Sequence, residues 1–332
     1  MNPPLSRRRQ FLKQCVTGSS LFAMTTIPLP RLLSATNAPS SVRFGVITDV
    51  HKDIIHDADQ RLQSFVDEMS DQSLHFIAQL GDFCIPKAEN SVFLEIWNRY
   101  RGPRFHVLGN HDMDGGYSRE QAVSYLGMPD RYYAFEQGPV HFIVLDGNDR
   151  PEGHTSGYPR YIAADQQEWL RAQLEQATKP VIVFSHQSLE NKSGVQNGDT
   201  IRKILETANH SAGFRKVLAC FSGHHHRDYV RQINNIVYPQ INSASYFWVG
   251  SKFQQIRYSP EIDKEFPYIK YTAPYQSPLF ATVEIDLKLG FMRIRGRQSE
   301  FVGPAPWELG ESKEFWNAET LSASVSSWKM PV

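Results

Sequence analysis

The sequence predicts an α/β protein with largely parallel, buried strands. Short runs rich in Val, Ile and Phe alternate with stretches of helical apolar spacing from residue 42 to about residue 222. Several of those runs, VIVF at 181–184 and VLACF at 217–221 among them, are apolar at every position, as strands covered on both faces are. A chain of 332 residues with 41% hydrophobic and 21% charged side chains also has the material for a sizeable core.

The elements follow in order. VRFGVIT (42–48) reads as a strand, HDADQRLQSFVDEMSD (56–71) as a helix with Leu62, Phe65, Val66 and Met69 on one face, and LHFIAQL (74–80) as a strand. A helix over 90–101, a strand at RFHVL (104–108), a helix near 118–126 and strands at YYAFEQ (132–137) and VHFIVLD (140–146) continue the series. Next come a helix over 163–177, the strand PVIVFS (180–185), a helix over 199–208 and the strand KVLACFS (216–222). After residue 227 strands dominate: YVRQI, NIVYPQI, LFATVEID and FMRIRGR. The aromatic- and proline-rich segment 246–278 reads as a long loop or cover, and the stretch from 301 shows little pattern. These shifts divide the chain into 1–40, 41–300 and a C-terminal extension, 301–332.

The opening segment is a different kind of object. Formal net charge is zero, which points to neither nucleic acid nor an anionic membrane surface. Yet the first 40 residues hold five basic side chains (Arg7, Arg8, Arg9, Lys13, Arg31) and no acidic one, so the remainder carries a net charge of −5. SRRRQFLK leads into CVTGSSLFAMTTIPL, too short and too polar to span a bilayer stably, and then into small residues. Arg8-Arg9-Gln10-Phe11-Leu12-Lys13 resembles a twin-arginine export signal, which implies the twin-arginine machinery as a partner and a periplasmic or secreted protein, with an uncleaved anchor as the alternative. Beyond Cys15 only Cys84 and Cys220 remain, too few for a disulfide framework, and both read as buried apolar residues.

The residues directly after each strand carry the chemistry. VIT runs into Asp49-Val50-His51, FIAQL into Gly81-Asp82, FHVL into Gly109-Asn110-His111-Asp112, VIVFS into His186, and VLACFS into Gly223-His224-His225-His226. Ligands of open α/β sheets bind beyond the carboxyl ends of the strands, so these distant groups can converge. Carboxylate, imidazole and amide oxygen suit Mn, Fe, Zn or Co, and the lack of cysteine ligands argues against a closed structural zinc site. Two such sets sharing a carboxylate suit displacement at phosphorus.

In order and spacing these five motifs resemble the calcineurin-like metallophosphoesterases over roughly residues 42–245. The resemblance implies a four-layer sandwich, two mixed sheets flanked by helices, and two divalent metal ions. By the same resemblance Asp49, His51 and His226 hold one ion, Asn110, His186 and His224 the other, and Asp82 bridges them. His111 is then the general acid, Asp112 orients or supports it, and a metal-bridging hydroxide is the nucleophile attacking a phosphomonoester or phosphodiester of small-molecule size. His224 and His226 are expected on an extended backbone, sharing a face, with His225 a bystander. Asp82 is followed by Phe-Cys-Ile, not by the tyrosine three residues on that marks purple acid phosphatases, and Gln187-Ser188 replace the usual residues after His186. The competing class is a noncatalytic binding protein on the same scaffold. Arg227 reads as a substrate-phosphate contact or a surface ion-pair partner. Tyr246, Phe247 and Trp248 read as core, with a stacking wall for a base or aryl group as the alternative. The other six histidines read as structural.

Overall fold

The computed structural model describes residues 39–332; the basic opening segment and its export signal lie outside the described residues. A first β-α-β-α-β run comprises β1 (Ser41–Ile47), α1 (Ala58–Ser70), β2 (Phe76–Gln79), α2 (Ser91–Asn98) and β3 (Arg104–His106), followed by α3 (Arg119–Leu126). A second comprises β4 (Tyr133–Gln137), β5 (Val140–Leu145), α4 (Ala164–Gln176), β6 (Val181–Ser185), α5 (Gly198–Ala212), β7 (Val217–Phe221), β8 (Tyr229–Ile233) and β9 (Ile236–Gln240). β10 (Tyr246–Trp248), β11 (Thr272–Pro274), β12 (Ala281–Asp286), β13 (Phe291–Arg295) and β14 (Trp328–Pro331) complete the set of strands.

Two six-stranded sheets result, ordered β14-β13-β12-β1-β2-β3 and β4-β5-β6-β7-β9-β8, with β10 and β11 forming a separate ribbon. Both sheets are mixed. Strands joined through helices (β1 with β2 and β3; β5 with β6 and β7) pair in parallel, as the length of a crossover requires, whereas β12, β13 and β14 add to β1 antiparallel. The four-layer sandwich is therefore the architecture found.

Period-two alternation explains the layering. On β5, Phe142 and Val144 enter the main core while Ile143 and Leu145 enter the cluster that also holds Leu170, Ile201 and Leu205 of α4 and α5. Between the sheets, Phe44 stacks on Phe76 at 4.8 Å and meets Phe142 and Phe184 edge-on at 5.7 Å. Each such ring, fully buried, contributes about 1.5–3 kcal/mol. α1 buries Leu62, Phe65, Val66 and Met69, the face its spacing predicts. Cys84 and Cys220 are buried free thiols.

The two stretches that looked patternless are fastened by tertiary hydrogen bonds. Buried Arg61 on α1 donates to Ala244 O (3.3 Å) and Tyr275 O (2.6 Å), pinning both ends of the segment that carries the β10–β11 ribbon. The Asp228 carboxylate accepts from Ser324 Oγ at 3.0 Å and Ser326 Oγ at 2.7 Å, which leads the C-terminal stretch back to supply edge strand β14. Among the described residues no helix is long and apolar enough to cross a membrane.

Candidate metal centre

The strand ends of both sheets meet along one seam. Asp49 and His51 follow β1, Asp82 follows β2, Asn110 follows β3, His186 follows β6, and His224 and His226 follow β7. The loops are stitched across that seam: His224 N–H donates to Asp49 Oδ2 (3.0 Å) and His186 Nδ1 donates to Leu80 O (2.8 Å). Within the first sheet, Asp49 N–H donates to Gly81 O (2.9 Å) and His51 N–H to Asp82 O (3.0 Å).

Close approach dictates the glycines in these motifs. A Cβ on Gly109 would lie 2.1 Å from Asp82 N and Oδ1, and one on Gly223 would lie 2.1 Å from Thr48 Oγ1 and 2.4 Å from Asp49 Oδ2. The carboxylates beside them adopt a conformation that non-glycine residues avoid. Asp49, His51, Asp82, His224 and His226 all have positive φ, between 49° and 75°. Backbone of this kind costs on the order of 1–2 kcal/mol per residue and persists where surrounding contacts impose it. The expectation of an extended His224-x-His226 is thus corrected: a left-handed turn at each residue sends the two rings to different groups.

Those groups are Asp49, His51 and His226, and Asp82, His186 and His224, each with ligand atoms within 4.8 Å of one another. Two carboxylate oxygens stand between them. Asp82 Oδ2 is 3.1 Å from His186 Nε2 and 3.7 Å from His51 Nε2, while its Oδ1 accepts the His111 N–H at 2.8 Å. Asp49 Oδ1 is 3.1 Å from His226 Nε2, 3.8 Å from His51 Nε2 and 3.9 Å from His186 Nε2.

The donor set fits divalent metal ions. With Nδ1 donating to Leu80, His186 turns the lone pair of Nε2 toward Asp82, and two acceptors at that range call for a cation between them. Asn110 Oδ1 is buried and accepts no hydrogen bond. His51 Nε2 and His226 Nε2 lie 3.2 Å apart. A proton can take the same place. Burial opposes charge on His186, yet Asp82 and Asp49 outweigh it and push the imidazole up to about 9. Burial would likewise raise Asp82, but His186, His111 and His51 hold it well below the ordinary carboxylate range. At His225 burial outweighs the opposing pull of Asp49 and brings the imidazole down to about 4.

His111 lies beside the centre, its ring 5.0 Å from that of His51. Its partner is not Asp112. The Asp112 carboxylate is fully buried and accepts N–H bonds from Phe83 (2.6 Å), Cys84 (3.1 Å) and Gly109 (2.8 Å), so it braces the loops that carry Asp82 and Asn110. Asp114 takes the orienting place, with Oδ2 2.6 Å from His111 Nδ1. The Tyr158 hydroxyl donates to Asp114 Oδ1 at 2.8 Å and lies 3.2 Å from His111 Nδ1. Burial disfavours the His111 imidazolium, but Asp82 and Asp114 together push it up to about 8. The spacing of Asp114, three residues past His111, was the available signal; Tyr158, from the loop before α4, had none.

His225 bonds Ser188 Oγ through Nε2 at 2.8 Å, so the residue that departs from the family pattern holds the bystander histidine. Arg227 meets neither reading made of it: its guanidinium donates to Asn317 O (3.0 Å) and Thr320 Oγ1 (3.1 Å) and lies over Phe247. Tyr246 packs against His51 and His226 with centroids 5.0 and 4.9 Å away, and Phe247 joins Phe253 and Trp316 in a separate cluster.

The family model for calcineurin-like phosphoesterases matches residues 42–228, more than half of the chain. The chain belongs to that family. Its members are metal-dependent hydrolases of phosphate esters that use two divalent ions, in keeping with the two ligand groups here. Among solved structures, a dimetal phosphatase from Danio rerio is similar at 16% identity with a TM-score of 0.56, covering 80% of this chain and 99% of its own. The anchor of the inner membrane complex of Plasmodium is similar at 16% identity with a TM-score of 0.51, covering 88% of this chain and 89% of its own. Both likenesses are of fold. No curated protein matches the chain in sequence.

Proposed function

We propose that this chain is an exported phosphoesterase that hydrolyses a small-molecule phosphomonoester or phosphodiester in the periplasm or outside the cell. The observation that carries the hydrolytic reading is the pair of adjoining N/O ligand groups, Asp49, His51 and His226 beside Asp82, His186 and His224, at a cavity of about 880 Å³ that His111 also lines. The basic, twin-arginine-like opening supports export.

Asp49, His51 and His226 would hold one ion and Asn110, His186 and His224 the other, with Asp82 shared. Two bound divalent ions would supply positive charge to polarise a phosphoryl oxygen and acidify water. The chain's own residues do the rest. Asp114 and Tyr158 fix His111 by Nδ1, leaving Nε2 to give a proton to the departing alkoxide. Asp112 keeps the loops bearing Asp82 and Asn110 in register.

The test is metal content together with hydrolysis of p-nitrophenyl phosphate and bis(p-nitrophenyl) phosphate. Wild type should carry two ions per chain. Asp82→Ala should lose metal and activity together; His111→Ala should keep metal and fold while turnover falls by roughly 10²-fold or more. A protein that binds no metal and leaves both esters intact would be a binding scaffold instead. For export, Arg8→Lys with Arg9→Lys should strand the precursor in the cytoplasm, and unchanged export would remove the twin-arginine reading.

A further inference from the structure

We propose that the esters taken by this centre carry a flat aromatic group, a narrowing that rests on the phosphoesterase reading above. The cavity over the metal ligands, about 880 Å³, has far more room than a phosphoryl group needs and falls in the range of small-molecule sites. The rest of its wall is largely aromatic. Tyr246 lies against the His51 and His226 rings, Trp248 follows at 6.4 Å from Tyr246, and Tyr268 completes this side, with Tyr271 behind the wall at 5.8 Å from Trp248 and 6.3 Å from Tyr268. On another side Tyr158 stands 4.7 Å from the His111 ring.

Tyr246 is buried, packed with Ile55 and Ile269, but the outer rings are not packed away as core. Trp248, Tyr268 and Tyr158 are 44%, 58% and 43% exposed, and all three line the cavity. Single exposed aromatics are ordinary, but three around one mouth, with metal ligands at its floor, form a stacking surface. β10 explains the aim: residues alternate, so Tyr246 and Trp248 share one side of the ribbon while Phe247 goes to the cluster with Phe253 and Trp316.

The experiment compares metal-loaded protein on ester pairs with matched alkoxide leaving groups, each as the monoester and its methyl diester. The pairs are 2-phenylethyl against n-butyl phosphate and adenosine 5′-monophosphate against ribose 5-phosphate. Binding of phenylphosphonate and methylphosphonate by calorimetry gives a readout free of turnover. The ring-bearing ligand should be favoured roughly fivefold or more in kcat/KM and in Kd. Trp248→Ala and Tyr268→Ala should bring those ratios toward one, and Leu289→Ala, on a distant exposed hairpin, should leave them as in wild type. A preference in the nucleotide pair names a nucleoside as the aromatic group; a preference confined to the phenylethyl pair names a simple arene. Equal kcat/KM within both pairs would overturn the aromatic proposal. Failure to turn over any ester would overturn the phosphoesterase reading and the narrowing with it.

Discussion

The two sheets contribute to the centre in unlike ways. The first supplies every carboxylate and the amide, from Asp49, Asp82 and Asn110, with only one imidazole; the second supplies imidazoles alone, from His186, His224 and His226. Neither makes a complete ligand group, because each group draws from both sides of the seam. Metal binding and sheet packing are thus one event. Acidic oxygens on one wall and basic nitrogens on the other attract before any ion enters.

The comparison can be broken at the core. Phe44→Ala removes the ring on which Phe76, Phe142 and Phe184 meet, so urea unfolding should show a loss of about 3–5 kcal/mol, and dialysed protein should retain less metal. Retention as tight as wild type would show that the ligand loops are insulated from the sheets. A smaller effect is expected from a chelator. Ions held at roughly 100 times their Kd stabilise the fold by about 2.7 kcal/mol, so melts with and without the chelator should separate. Superimposed melts would mean that the two walls need no ion to stay together. Smaller still, Asp112→Asn should cost about 1–3 kcal/mol by disturbing three buried N–H bonds. Asp114→Asn should change stability by no more than about 0.5 kcal/mol. It should nevertheless lower kcat/KM roughly tenfold by freeing His111, and equal kinetics for the two variants would undo the assignment of Asp114 as the orienting group.

The ligand edge was legible because its chemistry restricts residue type: after each apolar run came a carboxylate, amide or imidazole with glycine beside it. Strands β6 and β7 were legible because burial on both faces makes a run apolar almost throughout. The ribbon and β14 were not. They span three or four residues each, and the groups that hold them lie elsewhere in the chain, in Arg61 for the ribbon and Asp228 for the C-terminal stretch. Of the two roles expected for Asp112, the orienting one falls to Asp114, because adjacency in sequence does not give direction in space. In the tight turn His111–Gly116 the residue next to His111 points into the loops, and the one three along comes back beside the ring. The aromatic trio at 246–248 was divided by the strand period, which became readable once β10 was known to be a strand.

Five left-handed ligand positions make the backbone around the centre more strained than an ordinary loop. Glycine would adopt that backbone readily but would bring no ligand and none of the hydrogen bonds that Asp49 and Asp82 accept from the His224 and His111 amides. The side chains that incur the strain are thus the ones that tie the loops together.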